Sequence, residues 1–176
     1  AEEGVANVDA VQSEWMSADV EAADAVICSH VLYPIADVVP FIRRLDEHAK
    51  KRVYVYLRVD PLATDMGLWR EFYGVPLQSQ PVFEDLYPLL MQIGIVADAE
   101  IVEHRFSWTF ETSDEAVAQV RNALCLREDD EPSIAKLRGL LRERLIEWPG
   151  GRLGPSIESA RSAIISWQGG TLAAAT

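Results

Sequence analysis

Polar side chains that can take up a proton or bind a small molecule directly follow two short apolar runs. Ser29 and His30 come after the run at residues 25–28, and Arg58 and Asp60 close the next run. A histidine has a pKa near neutrality, so His30 can serve as a base toward a substrate hydroxyl. Arg58 can pair with a substrate carboxylate. The alternatives are a hydrogen-bonded loop histidine and a structural salt bridge.

The elements that carry these residues form a predicted strand–helix–strand unit. Residues 25–28 are continuously apolar and β-branched at their centre, as in a strand buried on both faces. Residues 52–59, rich in Val and Tyr, predict the second strand. The helix between them is predicted from one apolar stripe, Val38, Phe41, Ile42, Leu45 and Ala49. In such parallel units ligands gather at the carboxyl ends of the strands, where the polar residues lie.

The rest of the chain continues to alternate between helical and extended patterns. Residues 81–95 predict a helix that Pro88 should kink or split, and residues 99–110 alternate like a strand with one wet face. The other predicted elements are a strand at 7–15, a helix opened by the capping-box pair Thr112 and Glu115, a helix at 131–148, a loop at 150–155, a last strand at 162–168 and a frayed tail at 169–176. We expect residues 1–176 to form a single domain around one core.

The composition argues against several classes of function. A formal net charge of −12 argues against nucleic acid as the main partner, because binding to phosphates needs a basic surface. No apolar run approaches the ~18 residues of a membrane span, so we expect no membrane partner. Cys28 and Cys125 lack a CxxC spacing, which favours a reducing, cytoplasmic location. The histidines share no metal-ligand spacing, so we expect no metal site.

Five segments of the chain carry a family resemblance. They are NVDAVQSEW, ADAVICSHVLYPIADVVPFIRRL, KRVYVYLRVDP, YPLLMQIGI and RSAIISWQ. Together they resemble the third strand, the fourth strand with its helix, the fifth strand, a later helix and the seventh strand of class I S-adenosylmethionine-dependent methyltransferases of the small-molecule type. The resemblance implies an α/β, three-layer Rossmann-like fold with a mostly parallel sheet. In that sheet the fourth, fifth, seventh and sixth strands lie side by side, and the last two form an antiparallel edge hairpin.

The resemblance also implies a reaction and a cofactor site. The intact enzyme would transfer a methyl group from S-adenosylmethionine to a small-molecule acceptor, a displacement that depends on alignment more than on covalent catalysis. Glu14 would accept from the adenine amino group, and the flat indole of Trp15 would lie along the ring. Ser29 and His30 would line the methionine part of the site. The alternative is a surface glutamate and a tryptophan that covers the edge of the core.

On the acceptor side, the family carries substrate-binding inserts after its fourth and fifth strands. The corresponding residues here are Tyr33, Arg58 and the aromatic segment at 66–74. Trp69 and Tyr73 of that segment would form part of an apolar lid over the substrate. Ordinary packing of these aromatic residues is the alternative.

Two parts of the family's cofactor site have no counterpart in the sequence. One is the glycine-rich turn after the first strand, where the absence of a Cβ allows close approach. The other is an acidic residue after the second strand, which accepts from the ribose hydroxyls. The opening AEEGVANV resembles the end of a helix, with Gly4 at the C′ position. The sequence therefore predicts an N-terminally truncated domain that is inactive alone. We also expect a homodimer through the edge of the family's fourth strand or through the N-terminal segment.

Two other functions stay open at this point. The chain can be a non-catalytic, methyltransferase-like module that is kept for assembly. It can also be another Rossmann-like enzyme, such as a nicotinamide-dependent reductase. A GxGxG turn and an acidic residue after the second strand would favour the methyltransferase over both.

Overall fold

A mixed β-sheet organises the chain. The computed structural model describes residues 7–60, 66–105, 108–156 and 159–172. Its strands are β1 (Ala23–Ser29), β2 (Ala49–Arg58), β3 (Asp98–Arg105), β4 (Ile146–Trp148), β5 (Arg152–Gly154) and β6 (Ser159–Gln168). Its helices are α1 (Val38–His48), α2 (Trp69–Tyr73), α3 (Phe83–Gln92), α4 (Ser113–Ala123) and α5 (Glu131–Arg144). The chain is therefore an α/β protein, as the sequence predicts.

The main sheet has four strands in the order β1-β2-β6-β3. β1 pairs with β2 in parallel, with Val26 beside Val53 and Cys28 beside Val55. β6 runs antiparallel to both of its neighbours. The expectation of a mostly parallel sheet is therefore wrong for the described residues. β6, the strand nearest the C-terminus, lies between β2 and β3. Two of the three strand pairings are therefore antiparallel.

Helices cover only one face of this sheet. α1 and α3 pack against the alternate residues of β2 and β6 that point to that face, and the strand side chains of this core include Val53, Val55, Leu57, Ala163, Ile165 and Trp167. On the opposite face Ile27 is 74% exposed and Tyr54 is 38% exposed. The three-layer expectation is thus not met among the described residues, because no helix there buries this second face.

The predicted strand at 7–15 is wrong. Residues 7–22 contain no strand, and they include a 3-10 turn at Trp15–Ser17 instead. Arg44 of α1 holds this segment by donating to the carbonyls of Trp15, at 2.8 Å, and Ala18. The indole of Trp15 packs against Phe41. Side-chain contacts with a helix therefore replace the ladder bonds of a strand.

Pro88 does not split its helix. α3 runs through it without interruption from Phe83 to Gln92. Pro88 points to solvent, while Leu86 and Leu90 are buried on the other side. The carbonyl of Glu84, which a proline leaves without a helical donor, lies on the wet side, where water can satisfy it. The apolar stripe on the buried side stabilises the helix.

β3 and β6 pair with each other, but they do not form the antiparallel edge hairpin that the resemblance implies. β3 and β6 are in register from Asp98 beside Ser166 to Arg105 beside Ser159. Residues 106–158 separate them in the chain, and their described part carries two helices and the small β4–β5 sheet. The loop predicted at 150–155 is the turn and second strand of that small sheet. Its turn places Gly150 and Gly151 at positive φ, which glycine adopts readily.

A second core lies between this inserted region and the segment that carries Leu68 and α2. Leu68, Phe110, Val120 and Leu137 are fully buried in it, so α2, α4 and α5 share one interior. The predicted start of α4 is confirmed, because the Thr112 hydroxyl accepts from the Glu115 N–H at 3.1 Å. The described residues thus contain two hydrophobic cores, one under the sheet and one among α2, α4 and α5.

The buried carboxylate of Asp46 ties α1 to the end of β6. Its Oδ1 accepts from the Trp167 indole at 2.9 Å and from the Thr171 N–H at 3.2 Å, and its Oδ2 accepts from the Leu172 N–H at 2.9 Å. Asp46 itself has no exposed surface. Residues 169–172 are therefore held in place and not frayed. The rest of the predicted tail, 173–176, lies outside the described residues.

Replacing Asp46 with asparagine should destabilise the chain. Asparagine keeps the size of the side chain but turns one acceptor into an NH2 group that faces a backbone N–H, so a buried donor is left unpaired. We expect Asp46→Asn to lower the free energy of unfolding by about 1–3 kcal/mol in urea denaturation. Asp98→Asn is the matched control, because Asp98 is 80% exposed in its ion pair with Arg52 and should cost less than about 1 kcal/mol. Equal losses in both variants would contradict this role.

We also expect the chain to self-associate through β1. The outer edge of β1 has no strand partner among the described residues, and Ile27 adds an exposed apolar side chain beside it. Light scattering over a concentration series should show a dimer or larger species. Ile27→Lys should shift this species toward monomer, whereas Val96→Lys, at a residue that is 83% exposed outside the strands, should not. A monomer at all concentrations would refute the expectation.

Candidate functional site

Three strands deliver polar residues to one edge of the sheet. β1, β2 and β3 point in the same direction, because β2 and β3 are both antiparallel to β6. Their carboxyl ends, at Ser29, Arg58 and Arg105, therefore share an edge. His30 follows β1 in a left-handed conformation with φ 56°, and its N–H donates to the Tyr56 carbonyl at 3.0 Å. This conformation is uncommon for a residue other than glycine, and it sets the direction of the imidazole.

Tyr33 joins the ends of β1 and β2. Its hydroxyl lies 2.7 Å from His30 Nδ1 and accepts from the Arg58 N–H at 3.2 Å. The His30 ring stacks on Tyr33 and meets Tyr56 edge-on, at centroid distances of 5.9 and 4.8 Å. The Arg58 guanidinium lies over the Tyr33 ring, 4.8 Å from its centre. These four residues form the His30 cluster.

The His30 cluster favours a neutral imidazole. Partial burial lowers the pKa of His30 below its ordinary value of 6.5, and the electrostatic interactions with Arg58 and His104 lower it further. His30 is therefore unprotonated at neutral pH and can accept a proton. The Tyr33 hydroxyl can act as donor or acceptor, so both neutral tautomers of His30 keep their hydrogen bond. The interpretation of His30 as a possible base is consistent with this geometry.

His104 is a residue that the sequence did not assign to the site. It lies on β3, and its Nε2 is 2.9 Å from the hydroxyl of Ser162, which is fully buried on β6. The signal was present in the alternating pattern of residues 99–110, where a histidine stands in a row of apolar residues. Its partner could not be found from sequence, because the pairing of β3 with β6 depends on register.

Arg58 does not form the structural salt bridge that was its alternative role, whereas Asp60 does form an ion pair. No ion pair of Arg58 occurs among the described residues, and its guanidinium stacks on Tyr33 instead. Asp60 forms a bidentate pair with Arg161 of β6, at 2.5 and 3.0 Å. The Arg161 guanidinium lowers the pKa of Asp60. The salt bridge at this strand end therefore belongs to Asp60, and Arg58 is left facing the His30 cluster.

The residues expected around adenine lie elsewhere. Trp15 packs on α1 between Phe41, Arg44 and His48, with ring-centre distances of 6.1 Å to Phe41 and 5.4 Å to His48. Glu14 directly precedes this turn. No contact among the described residues joins either side chain to the His30 cluster. The structure thus places Trp15 in the packing role that the sequence also allowed.

Trp69 packs against the second core, and Tyr73, which is 43% exposed, contacts Trp69 and the backbone of that core. Their rings are 4.3 Å apart, and the Tyr73 hydroxyl donates to the Leu124 carbonyl at 2.7 Å. Arg144 of α5 donates to the Met66 carbonyl at 2.8 Å and so holds the same segment. These contacts match the packing alternative. Ser29, by contrast, lies at the carboxyl edge next to His30, where the sequence places it.

Several other chemistries find no support at this edge. Burial raises the pKa of Cys28 to about 11, so this thiol is protonated at neutral pH. In the part of the chain that the structure describes, no three His, Cys, Asp or Glu side chains are arranged to hold a metal ion. None of the described helices is both long and apolar enough to cross a bilayer. Comparison with protein-family models and with curated proteins gave no match for this chain.

The pKa of His30 should respond to Arg58. Arg58→Gln removes one of the two charges that lower this pKa and keeps the backbone N–H that binds Tyr33. We expect an NMR titration of the imidazole to show a higher pKa in Arg58→Gln than in the unmodified chain. Arg142→Gln, at an exposed position of α5, is the matched control and should leave the titration unchanged. An unchanged or lower pKa in Arg58→Gln would contradict the arrangement.

Proposed function

We propose that the chain forms the acceptor side of a class I S-adenosylmethionine-dependent methyltransferase that acts on a small molecule. The strand order carries the proposal. In the family the fourth, fifth, seventh and sixth strands lie side by side, with the seventh reversed. The order β1-β2-β6-β3, with β6 alone reversed, matches this arrangement strand for strand. The segments that resemble the fourth, fifth and seventh strands are β1, β2 and β6.

The His30 cluster supports the same proposal. It lies at the carboxyl edge of the sheet, where α/β proteins bind their ligands. Its neutral imidazole would take a proton from the hydroxyl of an acceptor at Nε2, while Nδ1–H donates to Tyr33. Tyr33 is fixed in turn by the Arg58 N–H. Positioning of this kind is what methyl transfer asks of a protein, since the acceptor must be aligned and deprotonated.

The described residues do not by themselves fit the cofactor. None of the described strands leads through a glycine-rich turn into a helix, and none of them corresponds to the family's second strand, which is followed by the acidic residue that holds the ribose. The uncovered face of β1 and β2 is the side on which further elements would have to pack. The proposal therefore requires that the glycine-rich turn and the ribose contact come from residues outside the described ranges.

The 176-residue chain alone should bind S-adenosylhomocysteine weakly or not at all. Loss of two hydrogen bonds to the cofactor costs ~3 kcal/mol, which is on the order of a hundredfold in affinity. Titration calorimetry on the chain should give no dissociation constant in the low micromolar range. The same titration on the full translated protein that contains the chain should give one.

Three outcomes would decide against the proposal. Low-micromolar binding by the chain alone would show that the described residues do hold the cofactor. Absence of binding by the full translated protein would reject a methyltransferase and favour the assembly module. Binding of a nicotinamide cofactor in the same experiment would favour a reductase.

A further inference from the structure

A cleft opens at the carboxyl end of β3, between β3 and the β4–β5 sheet. It encloses about 730 Å³, enough for a drug-sized small molecule. Its floor includes His104 and Arg105 at the carboxyl end of β3, and its wall includes Trp148 of β4. Like the His30 cluster, the cleft lies at the carboxyl edge of the sheet, because Arg105 ends β3. A ligand in this cleft would thus lie at the same edge as the proposed base.

The indole of Trp148 is held in a fixed orientation at the cleft. Its Nε1 donates to the Pro155 carbonyl at 3.0 Å. Gly154 lies so close that an added Cβ would be 2.9 Å from the same nitrogen, which side chains do not tolerate. The indole is therefore held by a hydrogen bond and by the backbone of β5. A fixed aromatic face beside a cleft is suited to stacking with a planar ring.

Arg105 is the cation of the cleft. Its guanidinium carbon lies 6.0 Å from the centre of the Trp148 ring. No carboxylate among the described residues pairs with it, although Glu103 and Glu147 line the same cleft. Glu103 is instead held by the Ser159 hydroxyl at 2.5 Å. Within the described residues Arg105 therefore forms no ion pair, and its guanidinium can donate to an anionic ligand in the cleft.

We propose that this cleft binds a planar aromatic carboxylate, with the ring on Trp148 and the carboxylate on Arg105. The role of this ligand as the acceptor of methyl transfer rests on the proposed function. The binding of the ligand in the cleft does not. Arginine suits a carboxylate because its planar fork donates two parallel hydrogen bonds. A planar cation is the competing ligand, since Glu147 lies on the same rim. Arg105 places a positive charge beside the indole, and its repulsion disfavours that competitor.

Binding of 2-naphthoate to the chain, measured by titration calorimetry without any cofactor, tests this proposal. We expect 2-naphthoate to bind at least tenfold more tightly than 2-naphthylmethylammonium. Arg105→Gln should weaken 2-naphthoate binding about tenfold or more, and Arg142→Gln on α5 should leave it unchanged. Trp148→Phe, which keeps an aromatic face, should weaken binding less than Trp148→Ala. Amide NMR spectra of each variant establish that it is folded.

The proposal is overturned by three results. These are no binding of 2-naphthoate, tighter binding of the ammonium compound with a loss in Glu147→Gln, and equal affinities in Arg105→Gln and Arg142→Gln. Because the measurement contains no S-adenosylmethionine, it is independent of the proposed function. The chain could bind 2-naphthoate while the full translated protein binds no S-adenosylhomocysteine. In that case the cleft is a carboxylate site on a protein that is not a methyltransferase.

Discussion

The architecture depends on the position of β6, the last strand in the chain and an inner strand of the sheet. β6 supplies pairing to β2 on one side and to β3 on the other. It is fixed near both ends, by Asp46 at Trp167 and by Asp60 at Arg161. At Gly169 the backbone comes so close to Ala49 that an added Cβ would be 2.0 Å from its carbonyl oxygen. Without this strand β3 has no partner, and the carboxyl edge with its polar residues is not assembled.

Much of the core could be predicted because its patterns are local. Continuous apolar runs and helical stripes identified β1, β2, β6, α1 and α3, since burial on a face dictates the spacing of apolar residues. The predicted strand at residues 7–15 was wrong. Val8 and Val11 are 70% and 60% exposed, so no core selects that pattern. The second core and the exposed face escaped prediction as well, because both depend on how distant elements meet.

The same distinction applies to the candidate site. His30, Tyr33 and Arg58 were predicted because each follows directly from the end of a strand that the sequence identifies. Their mutual geometry adds what the pattern cannot give, namely that Tyr33 lies between the other two. His104 and Ser162 are 58 positions apart in sequence and meet only through strand register. Register is a property of the assembled sheet, so no local pattern could place Arg105 and Trp148 on one cleft.

The long sequence separations around β6 have a consequence for biosynthesis. The pairs Asp60–Arg161 and Asp46–Trp167 span 101 and 121 positions. On the ribosome β1 and β2 therefore emerge well before their inner neighbour, by roughly 5–20 s at ordinary elongation rates. During this interval the apolar face that later receives α1 and α3 lacks the strand that completes it. The helices of the second core contact one another over shorter separations and can form first. Until β6 has been synthesised, the nascent chain therefore carries an incomplete sheet. In this state chaperone binding competes with aggregation.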